Sequence, residues 1–109
     1  MTKHNMEMVK GDTLAFFVKF KGLSSDIITS MDFTCKENDA DGTDYIFNRT
    51  LGDGITKVSD GVYYVRVPPE ATAEVTAGKY YYDLQIGVGS DIYTLLKGTM
   101  KLVQDITDN

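Results

Sequence analysis

Histidine, cysteine and clustered carboxylates are the side chains with which a small chain does covalent or metal chemistry, and here each is scarce or scattered. His4 is the single histidine and lies in a polar start, Met1 to Asn5. A serine or cysteine nucleophile needs a base held rigidly beside it, and nothing around His4 supplies that support. It reads as a solvated residue. Cys35 is the single cysteine and alternates in phase with Phe33 and Met31, which makes it a buried, inert thiol. One cysteine and one histidine do not complete a zinc site, and a lone cysteine forms no internal disulfide.

The run Asp39-Ala40-Asp41-Gly42-Thr43-Asp44 is the densest group of carboxylates. Such a spacing, with a glycine to sharpen the bend, can wrap a calcium ion. The terminal bidentate glutamate is missing, and no flanking helix is expected. The same residue types suit any exposed hairpin turn, so a plain turn is the first reading and a cation loop the alternative. The remaining acids are spread over turns, and no pair is set to face one cleft as glycoside hydrolysis requires. No glycine-rich phosphate loop opens a helix. Apart from the cation-loop alternative, the sequence offers no catalytic residue, metal site or cofactor site, and the chain reads as a non-enzyme.

The tyrosines carry a different chemistry. Aromatic rings on a sheet stack sugars or anchor protein interfaces. Tyr63, Tyr80 and Tyr82 fall on inward positions of expected strands, where the core takes the ring and the hydroxyl reaches backbone at the sheet edge. In the same register Phe17, Ile46, Tyr64, Tyr81, Tyr93 and Leu95 face outward. Apolar surface of that extent marks a contact site, and these six are the candidate interface.

The elements that position them follow from period-two alternation, with turn signals about every ten residues. Met6 to Val9 is a first short strand. Leu14, Phe16, Val18 and Phe20 alternate with Ala15, Phe17, Lys19 and Lys21 in a second. Gly22 to Ser30 is a connection whose Leu23, Ile27 and Ile28 cover one end of the core. Strands follow around Met31 to Cys35, Tyr45 to Thr50, Ile55 to Val58 and Tyr63 to Val67, where Pro68-Pro69 ends the ladder. Ala71 to Val75 forms one helical turn, and Gly78 suits a left-handed exit. Lys79 to Val88 and Asp91 to Val103 make a hairpin across Gly89-Ser90. Gly98 inside the last strand signals a bulge or a close backbone approach. The expectation is all-β: one antiparallel β-sandwich of seven to eight strands, spanning residues 1–109 as a single domain.

Composition agrees with that size. A chain of 109 residues with 42% apolar residues buries about 65% of its unfolded surface, enough for one core. The net charge is −5 with pI near 4.6, and the lysines do not form a basic stripe. Nucleic acid and anionic membrane surfaces are thus not expected partners. No stretch of about 18 apolar residues is present to span a bilayer. The polar start lacks the apolar run of a signal peptide, so synthesis in a cytoplasm is expected.

Certain motifs, taken in order, carry a family resemblance. They are Met8-Val9-Lys10-Gly11-Asp12-Thr13, Phe33-Thr34-Cys35-Lys36, Gly54-Ile55-Thr56 and Gly61-Val62-Tyr63. Pro69-Glu70-Ala71-Thr72, Gly78-Lys79-Tyr80-Tyr81-Tyr82-Asp83-Leu84, Gly98 and Asp105-Ile106-Thr107 complete the set. Together they resemble small immunoglobulin-like phage proteins, in particular the N-terminal domains of baseplate upper proteins in phages of Gram-positive bacteria. The resemblance implies an immunoglobulin-like sandwich and a non-enzymatic virion component, made in the bacterial host cytoplasm and working in the particle. Its implied partner is itself, as a homo-oligomer, or another virion protein. The sequence ends at Asn109 without a coiled coil or fibre, so an accessory piece of baseplate, tail or head is expected rather than a host adhesin. The alternative is a carbohydrate-binding module for host cell-wall glycans, working through exposed tyrosines.

Overall fold

Residues 2–3, 5–22, 24–37 and 45–104 are described by the computed structural model of the chain. His4, Leu23, Asp39 to Asp44 and Asp105 to Thr107 lie outside the described residues, and so do the expectations that rest on them.

Apart from Thr2–Lys3, alternation builds the strands close to where the sequence placed them. They are β1 (Thr2–Lys3), β2 (Met6–Val9), β3 (Leu14–Lys19), β4 (Ile28–Lys36), β5 (Phe47–Leu51), β6 (Gly54–Ser59), β7 (Val62–Val67), β8 (Gly78–Val88) and β9 (Asp91–Val103). Two short 3-10 turns, at Ser25–Ile27 and Pro69–Ala71, are the helical elements among the described residues. The class is all-β, as expected. Nine strands are described rather than seven or eight; the short strand Thr2–Lys3, in the polar start, was not expected.

Hydrogen bonding joins these strands into one sheet, in the order β1-β9-β8-β4-β5-β6-β7-β3, with β2 also on β9. The sheet bends back until β3 approaches β9 across an apolar cavity, so the barrel nearly closes. A wholly antiparallel ladder was expected, and three pairings correct it: β1 and β2 run parallel to β9, and β5 runs parallel to β6. The β5–β6 pairing is short, Thr50 with Gly54 and Leu51 with Ile55, and Gly52-Asp53 connects the two strands, with Gly52 at φ 92° and Gly54 at φ 105° turning the chain.

The core lies inside this bend. Phe33 of β4 is fully buried, and its ring meets Phe16 of β3 edge-on at 5.2 Å. Phe47 and Tyr82 approach the same ring at 5.7 Å each. Tyr63, Val65 and Val67 of β7 are buried. On β8 the buried set is Tyr80, Tyr82, Leu84 and Ile86, while Tyr81, Asp83 and Gln85 between them are partly exposed. The register expected for β8 therefore holds.

Four local differences have simple causes. The irregularity in β9 falls at Leu95, which is left over where Leu84 pairs with Leu96 and Gln85 with Thr94; Gly98 pairs regularly with Tyr82 and is buried. The extra residue lets the apolar neighbours Leu95 and Leu96 both pack on the core side. The helical turn expected at Ala71 to Val75 starts earlier, at Pro69, because proline fits the first helical position. Gly78 enters β8 at φ 158°, nearly extended rather than left-handed. Of the residues expected to cover one core end, Ile28 is buried and Ile27 is exposed.

Candidate functional site

The six residues expected to form one contact surface occupy separate places. Phe17 and Tyr64 are direct cross-strand partners on the outer side of β3 and β7, with ring centroids 5.2 Å apart. Phe17 is 57% exposed. Tyr81 lies on the outer side of β8, and Lys79 Nζ stands 5.6 Å from its ring centroid. Tyr93 is 51% exposed near the β8–β9 turn, next to the exposed Ile92.

Ile46 and Leu95 depart from the outward orientation: both are half-buried and pack on the core. Ile46 precedes β5, and its amide donates to the Cys35 carbonyl at 2.6 Å. Leu95 is the extra residue of the irregularity, so alternation no longer governs it.

What brings two of the six together is the seam where the barrel fails to close. A cavity of about 510 Å³ lies there, lined by Met6 of β2, Phe16 to Lys19 of β3 with the following Phe20, Leu84 of β8, and Leu95 and Leu96 of β9. Its volume falls within the range of small-ligand sites, roughly 300–1,000 Å³. Five consecutive residues, 16 to 20, line it. Successive strand residues point to opposite faces, and only the strand's edge borders both faces. The cavity therefore runs along the free edge of β3.

The backbone of that edge is defined by one bond. The Phe20 amide donates to the Gly61 carbonyl at 2.8 Å, so Phe20 directs its polar groups toward the β7 side. By alternation along an antiparallel pair, Phe16 and Val18 do the same, while Ala15, Phe17 and Lys19 direct their N–H and C=O groups away from β7. Among the described residues, β7 is the one strand paired with β3. An unprotected edge of this kind is a template for another strand. Lys19 is the one charged residue lining the cavity. The arrangement can bind but holds no acid–base pair for catalysis.

Sequence reasoning missed Met6, Phe16, Val18, Lys19, Phe20, Leu84 and Leu96 as lining residues. The doublets Phe16-Phe17 and Leu95-Leu96 were the available signal, since adjacent apolar residues break alternation where a strand is exposed on both faces or bulges.

The other groups with chemical potential are structural. Cys35 is buried, as expected, and burial pushes its thiol pKa up to about 12. Burial likewise raises the Tyr82 phenol. Asp60 is held below the usual carboxylate range, first by the Ser25 amide, which donates to its Oδ1 at 2.9 Å, and also by Ser24 and Lys57. Among the described residues no group of three or more His, Cys, Asp or Glu side chains is placed to hold a metal ion, and no helix is long and apolar enough to cross a membrane.

No family model and no curated protein matches the chain. A solved structure, an endo-beta-1,4-mannanase from Thermotoga petrophila, is similar with a TM-score of 0.58 over 93% of this chain, at 14% sequence identity. The chain spans 18% of the length of that mannanase chain. Likeness at this identity is a likeness of fold alone.

Proposed function

We propose that the chain is a non-enzymatic assembly module of a phage or prophage particle, an immunoglobulin-like sandwich that docks through the free edge of β3. The observation that carries the docking part is the apolar cavity along that edge, bordered by Phe17 and Leu95. A monomer gains nothing from leaving such surface wet.

Three features support the sandwich reading. The strands fall into two groups, β9-β8-β4-β5 with β1 and β2 on β9, and β6-β7-β3, joined through two parallel residue pairs, Thr50 with Gly54 and Leu51 with Ile55. Phe16 and Phe33 meet edge to face between the groups. The Tyr80 hydroxyl donates to the Thr76 carbonyl at 2.6 Å, near the start of β8, the arrangement of a tyrosine corner. The virion setting is supported by the order of motifs that resembles baseplate upper proteins. The particle position is baseplate, tail or head, and the partner is another virion protein or a further copy.

The test is reconstitution with the products of neighbouring genes, read by native mass spectrometry. One of them, or the chain itself, is expected to form a defined complex that Phe17→Asp abolishes. A strict monomer that ignores every neighbour overturns the proposal.

A carbohydrate-binding module is the second reading, favoured by Tyr81 on a polar sheet face and by fold likeness to part of a mannanase. On that face Asn48 Nδ2 donates to Thr34 Oγ1 at 2.7 Å, and Gln85 Nε2 to Thr94 Oγ1 at 3.3 Å. Glycan-array binding lost on Tyr81→Ala would establish it in place of the first.

A further inference from the structure

We infer that the free edge of β3 receives an extended segment of a different protein, apolar at alternate positions and carrying a carboxylate beside Lys19. This rests on the docking reading above and names its mode and partner chemistry. An edge is normally guarded by proline, by a bulge, by charge or by shortness. β3 has six residues, contains no proline, pairs with β7 without a register shift and carries one charge, Lys19 at its end. Ala15, Phe17 and Lys19 present three amides and three carbonyls along the edge, the set a strand of similar length pairs with. The cavity beneath takes that strand's inward side chains, with Leu84, Leu95 and Leu96 as its walls. Main-chain bonds then supply affinity and the apolar pockets supply selectivity, as in strand addition generally.

Charge selects the partner. The chain carries net −5, yet the one charge bordering the cavity is cationic. A second copy offering its own β3 does not meet that need, because Leu14 to Lys19 contains no carboxylate. A segment with a terminal aspartate or glutamate does.

The experiment selects short random peptides displayed on yeast against the folded chain. Selected peptides are expected to alternate apolar residues and to carry an acid at one end. Synthetic copies should slow hydrogen exchange at Ala15, Phe17 and Lys19, and N-methylation of alternate peptide amides should abolish this. Lys19→Glu should weaken binding about tenfold and shift selection to basic peptides. Ala15→Pro removes one edge amide while sparing the β7 ladder, and should also abolish binding. Absence of enriched peptides overturns the inference, as does protection elsewhere on the sheet or dimerisation through β3. If the particle complex is lost with Phe17→Asp yet survives Ala15→Pro and Lys19→Glu, docking stands and strand addition falls.

Discussion

Thr72 Oγ1 accepts a hydrogen bond from the Gly11 amide at 2.9 Å, across 61 positions of sequence. Thr72 is fully buried in the turn that follows the two prolines, and Gly11 sits at φ 84° in the β2–β3 connection. The bond fastens one loop to the other at the same end of the barrel. Removing the acceptor leaves the Gly11 amide unsatisfied, which costs about 1–3 kcal/mol. Thr72→Val is therefore expected to lower stability in urea by that amount, while Thr72→Ser keeps the bond and most of the stability.

Tyr80 closes the β7–β8 connection through its bond to the Thr76 carbonyl. Tyr80→Phe keeps the ring in the core and loses that bond, a net cost of about 1 kcal/mol. Thermal unfolding should show a lower Tm, and exchange at residues 76 to 79 should quicken while the β4–β8 ladder stays protected.

Arg49 of β5 donates from Nε to the Arg66 carbonyl of β7 at 2.9 Å, passing over Gly54 of β6. A Cβ at position 54 would occupy the space of the guanidinium, and φ 105° already disfavours any side chain there. Gly54→Ala is expected to cost at least about 1 kcal/mol. Adding Arg49→Ala should cost little more, because the alanine has already displaced the guanidinium. A double-mutant cycle in urea measures this coupling.

Alkaline pH should destabilise the fold through Cys35. Its folded pKa lies near 12 against an ordinary value of 9.0, so stability is intact below pH 9 and falls as pH rises toward 12. The raised Tyr82 phenol acts in the same direction. Cys35→Ala should flatten the thiol part of this slope in urea titrations at several pH values. Labelling of Cys35 by a thiol reagent at neutral pH should proceed no faster than global unfolding.

Acid acts through Asp60. Its folded pKa is depressed below 3.8, so its contribution is present above that pH and is lost as pH falls through the folded value. The Ser25 Oγ also accepts from the Gly61 amide at 2.7 Å, so the 24–27 connection is clasped to the β6–β7 turn from both sides. Asp60→Ala should speed exchange at Ser25 near neutral pH, an effect that vanishes in strong acid.

Alternation of apolar and polar residues determined the strand positions, the burial of Tyr63, Tyr80, Tyr82 and Cys35, and the all-β class, because side-chain direction along a strand is a local property with period two. It said nothing about edges. That β3 ends the sheet depends on hydrogen bonds between residues distant in sequence, as from Phe20 to Gly61; that β5 meets β6 in parallel and that Leu95 turns inward depend on turn geometry and pairing register, which alternation does not encode. The candidate site shows this most clearly. Phe17 was legible as an exposed ring, but its cavity was not, since Leu84, Leu95, Leu96 and Met6 reach it only when the sheet bends far enough to bring β9 opposite β3 without closing the last gap.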